Sequence, residues 1–259
     1  MTKISDIYNF IGTKAPWDTK LNFDNVGMLV GDAERGVTRV LTALDITPEV
    51  IAEAAEFGAE LIVSHHPVIF INALTSVTAQ SAPEVLALAE YKIAAICAHT
   101  NLDAAPEGVN FHLAKRLGLI EPYEAVASDG VGRIANLPQP VKMQDFLKTV
   151  SAELKTPVRF YDSGNAVSRV AVCGGSGGDY ASADEIARHG FDTLVTADIK
   201  HGQWLTAVKL GLNLIDADHF ATENVIVPVL CGWISEAFPN LEVKVSERYG
   251  QTVKFFTGE

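Results

Sequence analysis

The chain has 259 residues, 48% hydrophobic and 20% charged, which argues against a disordered or low-complexity chain. Its formal net charge of −12 argues against a duplex nucleic-acid binder, which would carry a basic stripe. A bound metal can still supply local positive charge for a nucleotide or a phosphorylated small molecule. Cys97, Cys173 and Cys231 are far apart and give neither a disulfide framework nor a thiolate metal site. No apolar run approaches the about 18 residues of a membrane span, so no membrane contact is expected and the expected location is the cytoplasm.

The first residues start an amphipathic helix, with Ile4, Ile7, Tyr8 and Ile11 at helical spacing, and not a signal peptide. Val26 to Val30 and Val40 to Leu44 read as strands. Pro48 opens a helix that Gly58 ends. Leu61 to Val63 is a short apolar strand of the kind found in a parallel sheet covered on both faces. A helix over 83–91, a strand over 92–98 and a helix over 110–117 continue the alternation, which predicts right-handed βαβ units.

From Glu121 to Gln139 the chain is rich in turn residues. A helix is predicted over 143–154 and strands over 158–161 and 170–173, the second followed by Gly174-Gly-Ser-Gly-Gly178. Helices over 182–189 and 203–210 alternate with strands over 193–195 and 213–216. A long helix over 222–238, interrupted or started near Pro228, precedes closing strands over 243–246 and 252–256. The fold class expected is α/β: two α/β lobes, the second inserted in the first, with a metal site at strand ends between them. Residues 1–124 and 195–259 would form the first, discontinuous lobe and 125–194 the insert.

Three predicted strands end in metal-ligand residue types: His65 and His66, then His99, then His219. Consecutive side chains at a strand end point to opposite sides, so the histidine pair can serve two metals. Asp103 follows His99 closely, and Glu223 lies one helical turn beyond His219, on the same face of a helix start. A carboxylate such as Glu223 can bridge two cations roughly 3.5–4 Å apart. If the three strand ends share one sheet edge, four histidines, an aspartate and a glutamate converge where α/β proteins bind ligands. The donor set lacks sulfur and suits Zn, Mn, Fe, Co or Ni, with magnesium disfavoured by so many imidazoles.

Further groups have two readings each. Asp198 is a general base, a carboxylate behind the ligands, or a helix cap, and Lys200 and His201 either contact an anionic substrate or are solvated. Asp45 is a carboxylate behind the ligands or a cap before Pro48. Gly174 to Gly178 could cradle a phosphate but has neither P-loop nor dinucleotide spacing, and a bare turn is the better reading. Phe23-Asp-Asn-Val-Gly27 is read as a turn near the site, with Asn25 as a polar contact. His112 and His189 are read as structural or solvated.

Phe23-Asp-Asn-Val-Gly27, Ser64-His-His-Pro67, Ala98-His-Thr-Asn-Leu-Asp103, Thr196-Ala-Asp198 and Asp218-His-Phe-Ala-Thr-Glu223 together resemble the GTP cyclohydrolase 1 type 2 (Nif-three-like) family, in family order over nearly the whole chain. The resemblance implies a centre of two divalent metal ions per chain, with His65, His66, Asp103, His219 and Glu223 as ligands and His99 close by or ligating. It also implies a toroidal homohexamer with metal sites facing an internal cavity. The chain has Phe23 where the motif usually has Trp, and it lacks the extra inserted domain of longer members.

Two functions of different class follow. In a metal-dependent hydrolase, a metal polarises a ring amidine or phosphoryl group and an activated water attacks, at C8 of the purine in the case of GTP. Asp198 or His99 would then shuttle protons, and Lys200 or the glycine loop would hold phosphates. In a non-catalytic scaffold, metal chaperone or regulatory protein, the same ligands need no acid–base group. Asp198, Lys200 and His201 discriminate: if they point away from the ligands, binding without chemistry gains weight.

Overall fold

The computed structural model describes residues 1–70, 74, 76–126 and 128–256. The chain divides into two compact units. The first comprises Met1–Ala105 and Ile226–Gly250, and the second Pro106–Val225 with the tail from Gln251.

The first unit opens with α1 (Ile4–Lys14), which buries Ile4, Ile7 and Ile11 along one stripe. Then come β1 (Gly27–Val30), β2 (Arg39–Ala43), α2 (Pro48–Phe57), β3 (Leu61–Ser64), α3 (Pro83–Tyr91), β4 (Ala94–Cys97) and α4 (Thr100–Ala104). Thr47 caps α2 by accepting from the Val50 amide, Pro48 sits in its first turn, and Gly58 ends it in the left-handed conformation at φ 72°. Every residue of β3 and β4 is buried, as expected of parallel strands covered on both faces. Leu41, Ile51, Ile62, Leu88, Ala95 and Cys97 form the core beneath α2 and α3.

The second unit contains α5 (Val109–Arg116), β5 (Ile120–Ala125), β6 (Arg133–Val141), α6 (Met143–Leu154), β7 (Arg159–Tyr161) and β8 (Val167–Ser176). It continues through α7 (Ala183–His189), β9 (Thr193–Ala197), α8 (His201–Leu210), β10 (Asn213–Asp216) and α9 (His219–Glu223). The chain then returns to the first unit for α10 (Val227–Ala237), with Pro228 in its first turn, and β11 (Glu242–Val245).

The first sheet has the order β1-β4-β3-β2-β11, with β1 antiparallel to β4 and the remaining neighbours parallel. The second has the order β5-β6-β8-β9-β10-β7, with β8, β9 and β10 parallel and the other pairs antiparallel.

Four expectations need correction. β9 and β10 hydrogen-bond into the second sheet, so the second unit extends to Val225 and begins at Pro106, where boundaries at 124 and 194 were expected. For the same reason the three histidine-bearing strand ends do not share one sheet edge: β3 and β4 belong to the first sheet and β10 to the second. The turn-rich stretch after Glu121 forms the antiparallel pair β5 and β6, whose mostly exposed residues hide the strand pattern. Residues 252–256 form no strand. Among the described residues no helix is long and apolar enough to cross a membrane.

Candidate metal centre

Strand register builds the first group of donors. Ser64 lies opposite Cys97 in the parallel pair β3 and β4, and pairing continues past both strand ends through the Ala98 amide to the Ser64 carbonyl. His65 is thereby set beside Ala98 and His99. His65 Nδ1 donates to the Ala98 carbonyl at 2.9 Å, and its Nε2 lies 3.6 Å from Asp103 Oδ1 on α4. His66 Nδ1 donates to Asp45 Oδ1 at 2.6 Å. His99 Nδ1 donates to Asp24 Oδ1 at 2.9 Å. One ligand atom from each of His65, His66 and His99 lies within 4.8 Å of the others.

Asp24 is almost wholly buried and also accepts from the Thr100 amide and hydroxyl. Burial opposes its ionisation, but the hydrogen bonds from His99 and Thr100 outweigh it and hold the carboxyl well below the usual range. Asp45 is not the cap of α2, because Thr47 fills that place. Its carboxylate instead holds His66.

The second unit repeats the device. Asp216 lies opposite Thr196 in the parallel pair β10 and β9, and the Ala217 amide continues the pairing to the Thr196 carbonyl. Asp198 and His219 are thus brought together just past the two strand ends, and His219 Nδ1 donates to Asp198 Oδ2 at 2.7 Å. His219 Nε2 lies 3.0 Å from Glu223 Oε2, one turn along α9. The Glu223 hydrogen bond pushes the His219 pKa up to about 9 against burial, with the Asp198 carboxylate adding to the shift. An imidazole between two carboxylates favours a cation, whether a proton or a metal.

Asp198 and Asp218 hold positive φ, 52° and 70°, without being glycine. Asp218 caps α9 by accepting from the Ala221 amide and also accepts from the Gln251 side chain. Lys200, not Asp198, occupies the cap position of α8, and Lys200 and His201 are exposed.

Gly174 and Gly175 are not a loop after the strand but part of β8. A Cβ on Gly175 would stand 2.2 Å from Glu223 Oε1 and 3.2 Å from His219 Cε1, at a φ of +61°. The glycine makes room for the carboxylate. Thr222 reinforces the approach, its hydroxyl accepting from the Gly175 amide at 3.0 Å.

The donors fit a metal of the borderline class. Each of the four imidazoles has Nδ1 committed to an oxygen acceptor, the arrangement that fixes the tautomer and orients Nε2 in histidine-ligated metal sites. Sequence reasoning overlooked Asp24 and Gly175. Asp24 lies inside the Phe23 to Gly27 stretch already singled out, and an acidic residue there was the available signal. The sequence presents Gly175 as part of a bare turn or a phosphate cradle, the turn being the better reading. His189 lies 3.7 Å from Glu124 and 3.5 Å from Glu185.

The family model described as Duf34/NIF3 (NGG1p interacting factor 3) matches residues 2–251. A Clostridium perfringens protein called GTP cyclohydrolase 1 type 2 homolog is 34% identical over 265 aligned positions, covering 99% of this chain and 96% of the relative. A solved structure of a Staphylococcus aureus hypothetical protein is 31% identical, with a TM-score of 0.88 and coverage of 98% of this chain and 99% of that one. The structure of a Bacillus cereus protein related to NIF3 has the same fold, with a TM-score of 0.89 at 21% identity and 99% coverage of both chains.

Proposed function

Because the chain belongs to the Duf34/NIF3 (NGG1p interacting factor 3) family, we propose that it binds two divalent metal ions and acts as a metal-dependent hydrolase on a cyclic amidine C–N bond, such as that of the GTP purine ring. The ligands proposed are His65, His66, Asp103, His219 and Glu223, with His99 as a further imidazole. The observation that carries this reading is the commitment of every Nδ1 in the donor set to an oxygen acceptor. The name of the Clostridium perfringens relative, GTP cyclohydrolase 1 type 2 homolog, supports the choice of substrate class.

When bound, the metals would polarise the scissile group and lower the pKa of a water. The chain's own residues hold and tune them. Asp24, Asp45, Asp198 and the Ala98 carbonyl keep the imidazoles in the Nδ1–H tautomer and raise the basicity of Nε2. Gly175 and Thr222 seat Glu223. His99, hydrogen-bonded to Asp24, or Asp198, hydrogen-bonded to His219, would shuttle protons. A toroidal homohexamer and a nucleotide or phosphorylated small molecule as ligand belong to the same proposal.

One observation favours a second reading, a metal-binding scaffold, chaperone or regulatory protein without chemistry. Asp198 is engaged in holding His219, and Lys200 and His201 are exposed. Incubating metal-loaded protein with GTP and following loss of the intact purine chromophore separates the two. The hydrolase reading expects turnover that disappears on chelation and in Glu223→Ala. Turnover retained by metal-free protein, or none with any metal tried, would overturn it.

A further inference from the structure

Three consecutive residues of the first unit perform three different tasks. Asp24 is buried and holds His99. The Asn25 side-chain amide donates to the Ile69 carbonyl at 2.7 Å, tying this turn to the segment that carries Phe70. Phe23 is 55% exposed and Phe70 44%. The two rings meet edge to face at 6.4 Å between centroids and 86° between planes. Phe70 in turn meets the His99 ring at 5.6 Å and 83°. An exposed aromatic corner is therefore fastened by a side-chain hydrogen bond and continuous with the histidine cluster. What distinguishes these two exposed rings is that they touch each other and adjoin the histidines, since a contiguous apolar patch, unlike a lone exposed ring, marks a binding surface.

We infer that Phe23 and Phe70 form the ring-binding part of the candidate metal centre, receiving a flat nitrogen heterocycle by stacking and edge contact. This rests on the hydrolase reading and deepens it by assigning the ring's recognition to these two residues. The contiguity of Phe70 with His99 favours a small planar ligand over a protein partner, because a ring held in this corner lies next to the imidazoles that would serve the metal. Stacking on an aromatic face tolerates any base, so the corner selects for flatness, and neighbouring polar groups must provide finer selection.

The test uses full-length protein as purified, with guanosine as probe, ribose 5-phosphate as the ring-free control and metal content measured on every sample. Binding is followed by NMR through the upfield ring-current shift of guanosine H8. Guanosine should bind and shift, and ribose 5-phosphate should not compete. Phe23→Leu and Phe70→Leu should each weaken guanosine by roughly 5-fold or more, as expected from losing an aromatic stacking face. Phe23→Trp should retain or tighten binding, which a merely structural role for the ring would not produce. Metal content should be equal in all four proteins, so failure of the metal-centre reading would be seen separately as protein that takes up no metal. No guanosine binding, equal affinity in wild type and both leucine variants, or a leucine variant that alters the solution mass without altering the guanosine shift would overturn the inference. The last result would assign the corner to a second copy of the chain.

Discussion

An imidazole is a dependable metal ligand only when its other nitrogen is already held, and four histidines here meet that condition through four separate acceptors. Asp45 is the simplest to test because it is partly exposed and its carboxylate accepts from His66. Asp45→Ala should lower metal affinity by about 10- to 100-fold with the fold intact, read by competition against a chelating indicator. Gly175→Ala should cost more, since its Cβ would collide with Glu223 at a φ of +61°. Loss of bound metal and a destabilisation of about 1–3 kcal/mol in urea unfolding are expected.

Asp24 gives a pH signature. Its carboxyl is depressed in the folded protein, so its stabilising contribution is fully present above the unfolded value of about 3.8 and is lost as pH falls toward the folded value. Asp24→Asn should therefore show a shallower fall of stability with acidification below pH 4 than the unmodified chain. The histidines that follow β3, β4 and β10 were legible from residue type at strand ends. The acceptors behind them were less so: Asp45 and Asp198 each had a capping alternative that only the cap assignments of Thr47 and Lys200 remove.

Two short elements carry Asp103, His219 and Glu223, α4 after β4 and α9 after β10, and both follow buried parallel strands. A five-residue helix has too few internal hydrogen bonds to stand alone, so α9 depends on its cap. Asp218 supplies that cap while holding φ at +70°. Asp218→Asn, which keeps the acceptor and tolerates positive φ, should be close to neutral. Asp218→Ala should lower stability by about 1–2 kcal/mol and, with the proposed ligands His219 and Glu223 displaced, reduce metal retention, measured by denaturant midpoint and metal content. The buried strands and the helices with proline starts and glycine stops were readable in the sequence, because apolar runs and backbone-restricted residues act locally. β5 and β6 were not, since their side chains are mostly exposed and prolines interrupt them. The extension of β8 through Gly174 to Ser176 was hidden too, because its reason is the close approach of Glu223 from a distant part of the chain.

The division of the chain was the least legible feature. Local pattern identifies β9 and β10 as buried strands, but their assignment to one sheet or the other is decided by hydrogen bonds with β8 and β7. Metal linkage offers a global readout. A metal bound to the folded state at about 100 times its dissociation constant adds about 2.7 kcal/mol, which in a chain of this size is worth on the order of 5–10 °C. Chelation should therefore lower the melting temperature, and readdition of metal should restore it. The most direct test is metal content by mass spectrometry on protein purified without chelator or immobilised nickel, alongside His65→Ala and Glu223→Ala. Close to two metals per chain in the unmodified protein, reduced in both variants, is the result expected of a dinuclear centre built from these donors. An unmodified chain that carries no metal and takes up none on titration would contradict it.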